Sequence, residues 1–256
     1  MSHCCGGCGN GGCGCHKGRP GRSGPGGGDR ERHRGSKRRC PVRRQPADHV
    51  PLLRRDLLNP GTVLTAASCV AGIPSTRMKI RYGSLNHGSG GATAQVRQVV
   101  IHPDYRAGSH DNDIAVVHTA TPVLNITSAL LPPPGDDPVP GTVLSTSGWG
   151  ATSQGGSLPA ALRTVDVPVT DRGTCRTAYG TSEAVTEHML CAGLPQGGKD
   201  FCAGDEGGPA VTHNLIDLPV LRALPSWHRG CAQAGCPGVY TRIGSYVPWI
   251  TTHLAG

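Results

Sequence analysis

A loop-rich all-β fold is what this sequence predicts, and three observations carry that expectation. Apolar residues make up 36% of the chain, and 39 of its 256 residues are glycine. That balance suits short strands joined by turns better than packed helices. From residue 47 onward, short β-branched and aliphatic runs recur at roughly 10–20-residue intervals with Gly, Pro and Asn between them, the rhythm of a barrel or a sandwich. No apolar run approaches the roughly 18 residues a membrane-spanning helix needs, so no membrane partner is expected.

Residues 1–46 are expected to be a disordered tail, because their Gly, Arg and Cys offer almost nothing to bury against the entropy of ordering. Residues 1–45 hold 11 Lys/Arg against 2 Asp/Glu, more than the whole net charge of +8. The basicity therefore belongs to the tail and does not mark the domain as a nucleic-acid binder. Weak, non-specific phosphate contact through Arg30 to Arg44 is the most such a run offers, and a solvated basic run is the simpler reading. Cys5-x-x-Cys8 and Cys13-x-Cys15-His16 bring soft metal ligands together, but irregular spacing and dense glycine favour plain low complexity. No metal or cofactor is assigned. Met1 to Gly7 has no hydrophobic region of a secretory signal.

Residues 47–256 read as the folded domain. Strands are expected at Thr62–Thr65, Met78–Tyr82, Ala94–His102 and Asp113–His118. Leu131 to Pro138 is a stiff, polar crossing between two halves. Strands resume at Val143–Ser145 and Leu162–Val169, and Asp171 is placed to cap a short helix reaching Tyr179. Ser245 to Leu254 reads as a closing helix, with Val247, Ile250 and Leu254 on one face, Ser245 as cap and Pro248 in the first turn. Between these elements, Gly198 to Pro209 sets acidic residues among glycines, a tight turn in which successive N–H groups converge as in an oxyanion hole. Asn125-Ile126-Thr127 is a glycosylation sequon, as compatible with an unmodified asparagine as with a glycan.

Six separated stretches, in order across residues 57–256, resemble trypsin-like serine proteases of the chymotrypsin fold (peptidase S1), fungal and bacterial trypsins most of all. They are Thr62 to Val70, Asp111 to Ala115, Ser147 to Gly150, Gly198 to Pro209, Ser226 to Ala232 and Pro237 to Thr241. The resemblance implies two packed antiparallel β-barrels with the active site in the cleft between them. It also implies a triad in which a histidine, oriented by an aspartate, activates a serine, while backbone N–H groups hold the oxyanion. The aspartate falls on Asp113 and is kept. The histidine position is Ser68 and the nucleophile position is Glu206. A serine hydroxyl cannot accept and return a proton near neutral pH, and a carboxylate is a poor acyl nucleophile. Of the other histidines, His102, His118, His188, His213 and His228 were weighed as substitutes, with His228 nearest the cleft. Glu206 is expected either to fold back onto the Gly204 N–H, filling the oxyanion site from within, or to stand exposed beside Asp205.

The same resemblance places Asp200 where trypsins bind Arg or Lys side chains, with Trp227, His228 and Gly235 around that pocket and His228 narrowing its entrance. Asp200 either attracts a guanidinium or is a relic with no ligand. Implied disulfides are Cys175–Cys191 and Cys202–Cys231. Cys69 lacks its family partner near Leu53 and Cys40 lies some 13 residues too early, so Cys69 is expected either to be free or to be reached by Cys40 through a reorganised N-terminal segment; Cys236 looks unpaired. Nothing between Arg44 and Leu57 matches the usual mature start, so an incomplete first barrel, zymogen-like loops and an Asp205 without its cation are expected. The leading functional expectation is a catalytically inactive homologue that binds a protein partner or a peptide bearing Arg or Lys. The alternatives are a residual endopeptidase cleaving after Arg/Lys, a hydrolase using Asp113 and Glu206 as a carboxylate pair, or a decayed gene product. Secretion follows from the family alone.

Overall fold

Two β-sheets face one another across a shared apolar seam in the computed structural model, which describes residues 49–51, 57–181 and 183–254. The expectations for residues 1–46, including the metal, phosphate and Cys40 readings, lie outside the described residues.

The first sheet contains β1 (His49–Pro51), β2 (Leu57–Asn59), β3 (Thr62–Thr65), β4 (Lys79–Tyr82), β5 (Ala92–Ile101) and β6 (Ala115–Thr119). Its order is β1-β4-β5-β6-β3-β2, with two edges. The expected incompleteness of the first barrel thus takes a definite form. Short three-residue strands occupy the edges, and β1 joins β4 in parallel within an otherwise antiparallel sheet. Strand β3 pairs with β6 from Thr62↔His118 to Thr65↔Ala115, and both are wholly buried. Four-residue helix α1 (Ala67–Val70) follows β3 directly.

The second sheet closes into a barrel from β7 (Val143–Gly148), β8 (Arg163–Thr170), β9 (Met189–Ala192), β10 (Ala210–His213), β11 (Pro219–Trp227) and β12 (Gly238–Arg242). Sequence patterning did not locate β9 to β12 as strands, for identifiable reasons. Strand β9 is buried at every position and shows no alternation. Strand β11 begins at Pro219 and carries Pro225 beside a register shift, where a ladder tolerates proline.

Between the halves, residues 131–138 form no regular element, as the proline run predicts. Helix α2 (Arg172–Tyr179) starts where expected, with the Thr174 N–H donating to Asp171 Oδ1 at 2.8 Å. The closing helix differs from expectation. A 3-10 turn over Ile243–Tyr246 precedes α3 (Val247–Thr252), so Ser245 lies inside the turn and caps nothing; its hydroxyl is buried without a hydrogen-bond partner. Pro248 does sit in the first helical turn.

Four apolar clusters form the core, one of them Tyr179, Val185, Met189 and Val239 beside α2. Val63, Met78, Ile80, Val96 and Val117 fill the first sheet's inner face, while Leu144, Val167, Leu190, Phe201 and Tyr240 fill the closed barrel. The seam between them joins Leu64, Ile114 and Val116 of the first half to Leu221, Leu224 and Ile250 of the second. Along the rim of that seam, the end of β3, helix α1 and the loop before β6 meet the turns and strands of the second barrel.

Candidate active site

Three sequence-distant positions converge at that rim. Ser68 is on α1, Asp113 ends the loop entering β6, and Glu206 lies in the turn ahead of β10. Asp113 is fully buried. One carboxylate oxygen, Oδ1, accepts from the Ser68 N–H at 2.7 Å; the other accepts from Ser68 Oγ at 2.9 Å and Ser226 Oγ at 2.6 Å. Thr241 Oγ1 donates to the Asp113 carbonyl at 2.8 Å and fixes the backbone. Burial raises the Asp113 pKa against the pull of the serine hydrogen bonds. The Ser68 hydroxyl is therefore committed to Asp113.

The imidazole that does face Asp113 is His110, which sequence reasoning passed over. It adopts a left-handed backbone (φ 55°), and its Nδ1 lies 4.0 Å from Asp113 Oδ2, beyond hydrogen-bond range. Its ring lies against Trp227, with centroids 6.3 Å apart. Its place three residues before Asp113 was the available signal, but only the turn geometry reveals the ring's direction. The histidines weighed from sequence lie elsewhere, apart from His228. His102 packs on Tyr246 and Trp249, His118 is buried in β6, His188 pairs with Asp111 at 3.3 Å, and His213 ends β10.

Glu206 turns away from Ser68 and Asp113: no hydrogen bond or ion pair joins it to either. Its Oε2 accepts from the Gly204 N–H at 2.7 Å, the folded-back contact. Its Oε1 lies 3.7 Å from His228 Nε2, with both side chains about one-tenth exposed (11% and 12%). His228 Nδ1 in turn reaches the Gly230 carbonyl at 2.9 Å. Burial alone would depress the His228 pKa, but the Glu206 and Asp200 carboxylates outweigh it and the pKa is raised. The turn is held from both halves. Cys69 Sγ donates to the Glu206 carbonyl at 3.3 Å, Thr65 Oγ1 donates to the Gly207 carbonyl at 3.3 Å, and the Gly207 N–H donates to Pro225 O at 2.8 Å. Gly207 must be glycine, since its φ is 77° and a Cβ would collide with Thr65 Oγ1.

Asp205 accepts from the Gly150 N–H at 2.6 Å and the Cys202 N–H at 3.1 Å, while no Lys or Arg among the described residues pairs with it. Burial pushes its pKa up to about 6 despite those bonds. Gly148 and Gly150 leave it room, as a Cβ on either would strike its carboxylate. Deeper in the second barrel's rim, Asp200 Oδ1 accepts from the Phe201 N–H at 2.9 Å, whereas Oδ2 is buried with no hydrogen-bond partner. Burial raises Asp200 to about 7, opposed by the nearby His228 charge and by the backbone N–H groups of Phe201, Ala232 and Gly238 that approach its carboxyl. Gly238 makes way for Asp200 Oδ1, and Gly235 (φ 72°) turns the neighbouring segment, its N–H donating to Pro195 O at 3.0 Å.

Disulfides Cys175–Cys191 and Cys202–Cys231 form as expected, with Cα atoms 6.3 and 5.1 Å apart. Cys236 is also disulfide-bonded, which corrects the expectation that it is unpaired. No group of three or more His, Cys, Asp or Glu among the described residues is arranged to hold a metal ion.

Comparison with known proteins decides the family, because the trypsin family model matches residues 55–250. The chain belongs to the trypsin family. It is 44% identical over 195 residues to trypsin Blo t 3 of Blomia tropicalis, covering 73% of this chain and 71% of that one. It is 36% identical to a vitellin-degrading protease of Bombyx mori (75% and 72% covered) and 37% identical to a trypsin of Saccharopolyspora erythraea (74% and 81% covered). Membership of the trypsin family agrees with the closed barrel, the facing open sheet and the two bridges. In a family organised around a proton relay, this chain gathers two hydroxyls on its buried aspartate and a carboxylate on its tight turn.

Proposed function

We propose that this trypsin-family chain is a disarmed protease that acts by binding, taking a protein partner or peptide through an Arg or Lys side chain. The observation that carries the reading is the Glu206 carboxylate bonded to the Gly204 N–H at 2.7 Å. A donor aimed at a developing oxyanion must be open when the substrate carbonyl arrives. In this chain a resident anion takes it, on the residue that stands where the family carries its nucleophile. Ser68 supports the same conclusion, because its hydroxyl is held by Asp113 at 2.9 Å and offers no base. Without base and nucleophile, only about 10³–10⁴-fold over water is left to binding and the oxyanion site. Useful enzymes start near 10⁶-fold.

Ligand class follows from Asp200, whose buried Oδ2 lacks a donor, an arrangement suited to a guanidinium or ammonium group. The disulfides fit an oxidising, extracellular compartment. The test pairs a fluorophosphonate probe with an Arg-amide substrate. Neither labelling nor turnover is expected; a labelled serine with turnover would replace this reading with that of a residual endopeptidase cleaving after Arg or Lys.

A further inference from the structure

We propose that Glu206 and His228 form a gate across the mouth of the Asp200 pocket, which a guanidinium or amidinium ligand must part to reach the carboxylate. This rests on Asp200 being the cation-binding group, as the functional reading has it. The gate itself is a continuous run of polar contacts. The Gly204 N–H holds Glu206 Oε2 at 2.7 Å, Glu206 Oε1 faces His228 Nε2 at 3.7 Å, and His228 Nδ1 reaches Gly230 O at 2.9 Å. Those contacts tie the Glu206 turn to the segment leaving β11, and the Cys202–Cys231 bridge ties the same two segments covalently. The His228 ring also packs edge-on against Phe201, centroids 5.2 Å apart, and the Phe201 N–H is the group that holds Asp200 Oδ1. His228 thus stands between the turn and the pocket carboxylate.

Electrostatics make this gate selective. The charged groups facing His228 are Glu206, Asp200 and, from the same turn, Asp205. Its neighbour Arg229 points to Glu183 at 3.0 Å and over the Tyr179 ring. A protonated His228 partly compensates Asp200, so an entering cation and the imidazolium compete for one carboxylate. An apolar ligand gains nothing by the exchange, because it brings no donor to the unpartnered Asp200 Oδ2. The pocket therefore resists apolar side chains and yields to strongly basic, planar ones, whose bidentate donors exceed what one imidazole offers.

Benzamidine, titrated into the full chain by calorimetry near neutral pH, tests the gate. His228→Gly is expected to bind it about tenfold more tightly than the parent, the scale of one charge-assisted contact in a largely buried site. Adding Asp200→Asn to His228→Gly should abolish that gain. Glu206→Ala leaves the β11 segment untouched and should also strengthen binding, which guards against a glycine that merely loosens the loop. The gate is overturned if the parent binds as tightly as both opened variants, or if the gain survives Asp200→Asn, with circular dichroism confirming the fold. Failure here leaves the disarmed-protease reading intact, whereas fluorophosphonate labelling would overturn that reading and leave the gate standing.

Discussion

Ser68 and Glu206 each hold specific partners, and those partnerships set the local chemistry. Ser68 gives Asp113 both an N–H and an O–H, so a carboxylate with no exposure remains satisfied without an imidazole. Ser68→Ala keeps the backbone donor and removes the hydroxyl, so a loss of about 1–2 kcal/mol is expected in denaturant melts. A neutral result would mean that Ser226 alone satisfies that oxygen. Ser68→His combined with Glu206→Ser is expected to regain fluorophosphonate labelling, while either change alone is not, because base and nucleophile work as a unit. Equal silence from the double variant would show that the framework, and not merely the two side chains, is disarmed. At this scale the sequence was informative about identity and weak about direction. The residue types at Ser68, Asp113 and Glu206 are written in the chain. That Glu206 points to Gly204 and His228, and that His110 is the ring near Asp113, depends on turn dihedrals such as the left-handed His110.

At the scale of elements, caps and bridges were legible and strand limits less so. The Asp171 cap on α2 was readable because a short polar side chain before a helical run has a single good use. Asp171→Ala is expected to lower stability by about 1 kcal/mol, and Asp171→Asn, which keeps the acceptor, by much less. Removing Cys175–Cys191, which joins α2 to β9 across 16 residues, should cost about 3 kcal/mol in the chain-entropy account. Paired Cys→Ala variants measured without reductant check this; an unchanged midpoint would place the stability of that region in the Tyr179 and Val239 packing. The element least legible was the start of α3. Ser245 has the residue type of a cap, but the chain arrives through a 3-10 turn that buries Ile243 and Tyr246 in the seam, and packing overrides the local preference.

Among the described residues, burial raises the pKa of three carboxylates, Asp113, Asp200 and Asp205. Asp200 is raised to about 7 and Asp205 to about 6, so between their ordinary range near 4 and those values the folded chain binds more protons than the unfolded one. Stability must fall as pH rises through that window. His228, also raised, adds in the same direction: its contribution is complete below its ordinary pKa and is lost as pH climbs through the folded value. Melting is therefore expected several degrees higher near pH 5 than near pH 8, a few kcal/mol spread over a domain of this size. A higher melting temperature at pH 8 would show that Asp205 has a cation partner. At the seam, Ile250→Ala should cost about 2–5 kcal/mol, since α3 packs there against both halves. The sequence by itself determined the family, the strand-rich class and the bridges Cys175–Cys191 and Cys202–Cys231, because these depend on residue types at spaced positions. The tertiary structure alone decided that the first sheet, among the described residues, ends in a parallel edge strand, that Glu206 folds back onto the Gly204 N–H, and that His228 faces Glu206. Those outcomes depend on which groups burial forces together, and burial is a property of the folded whole.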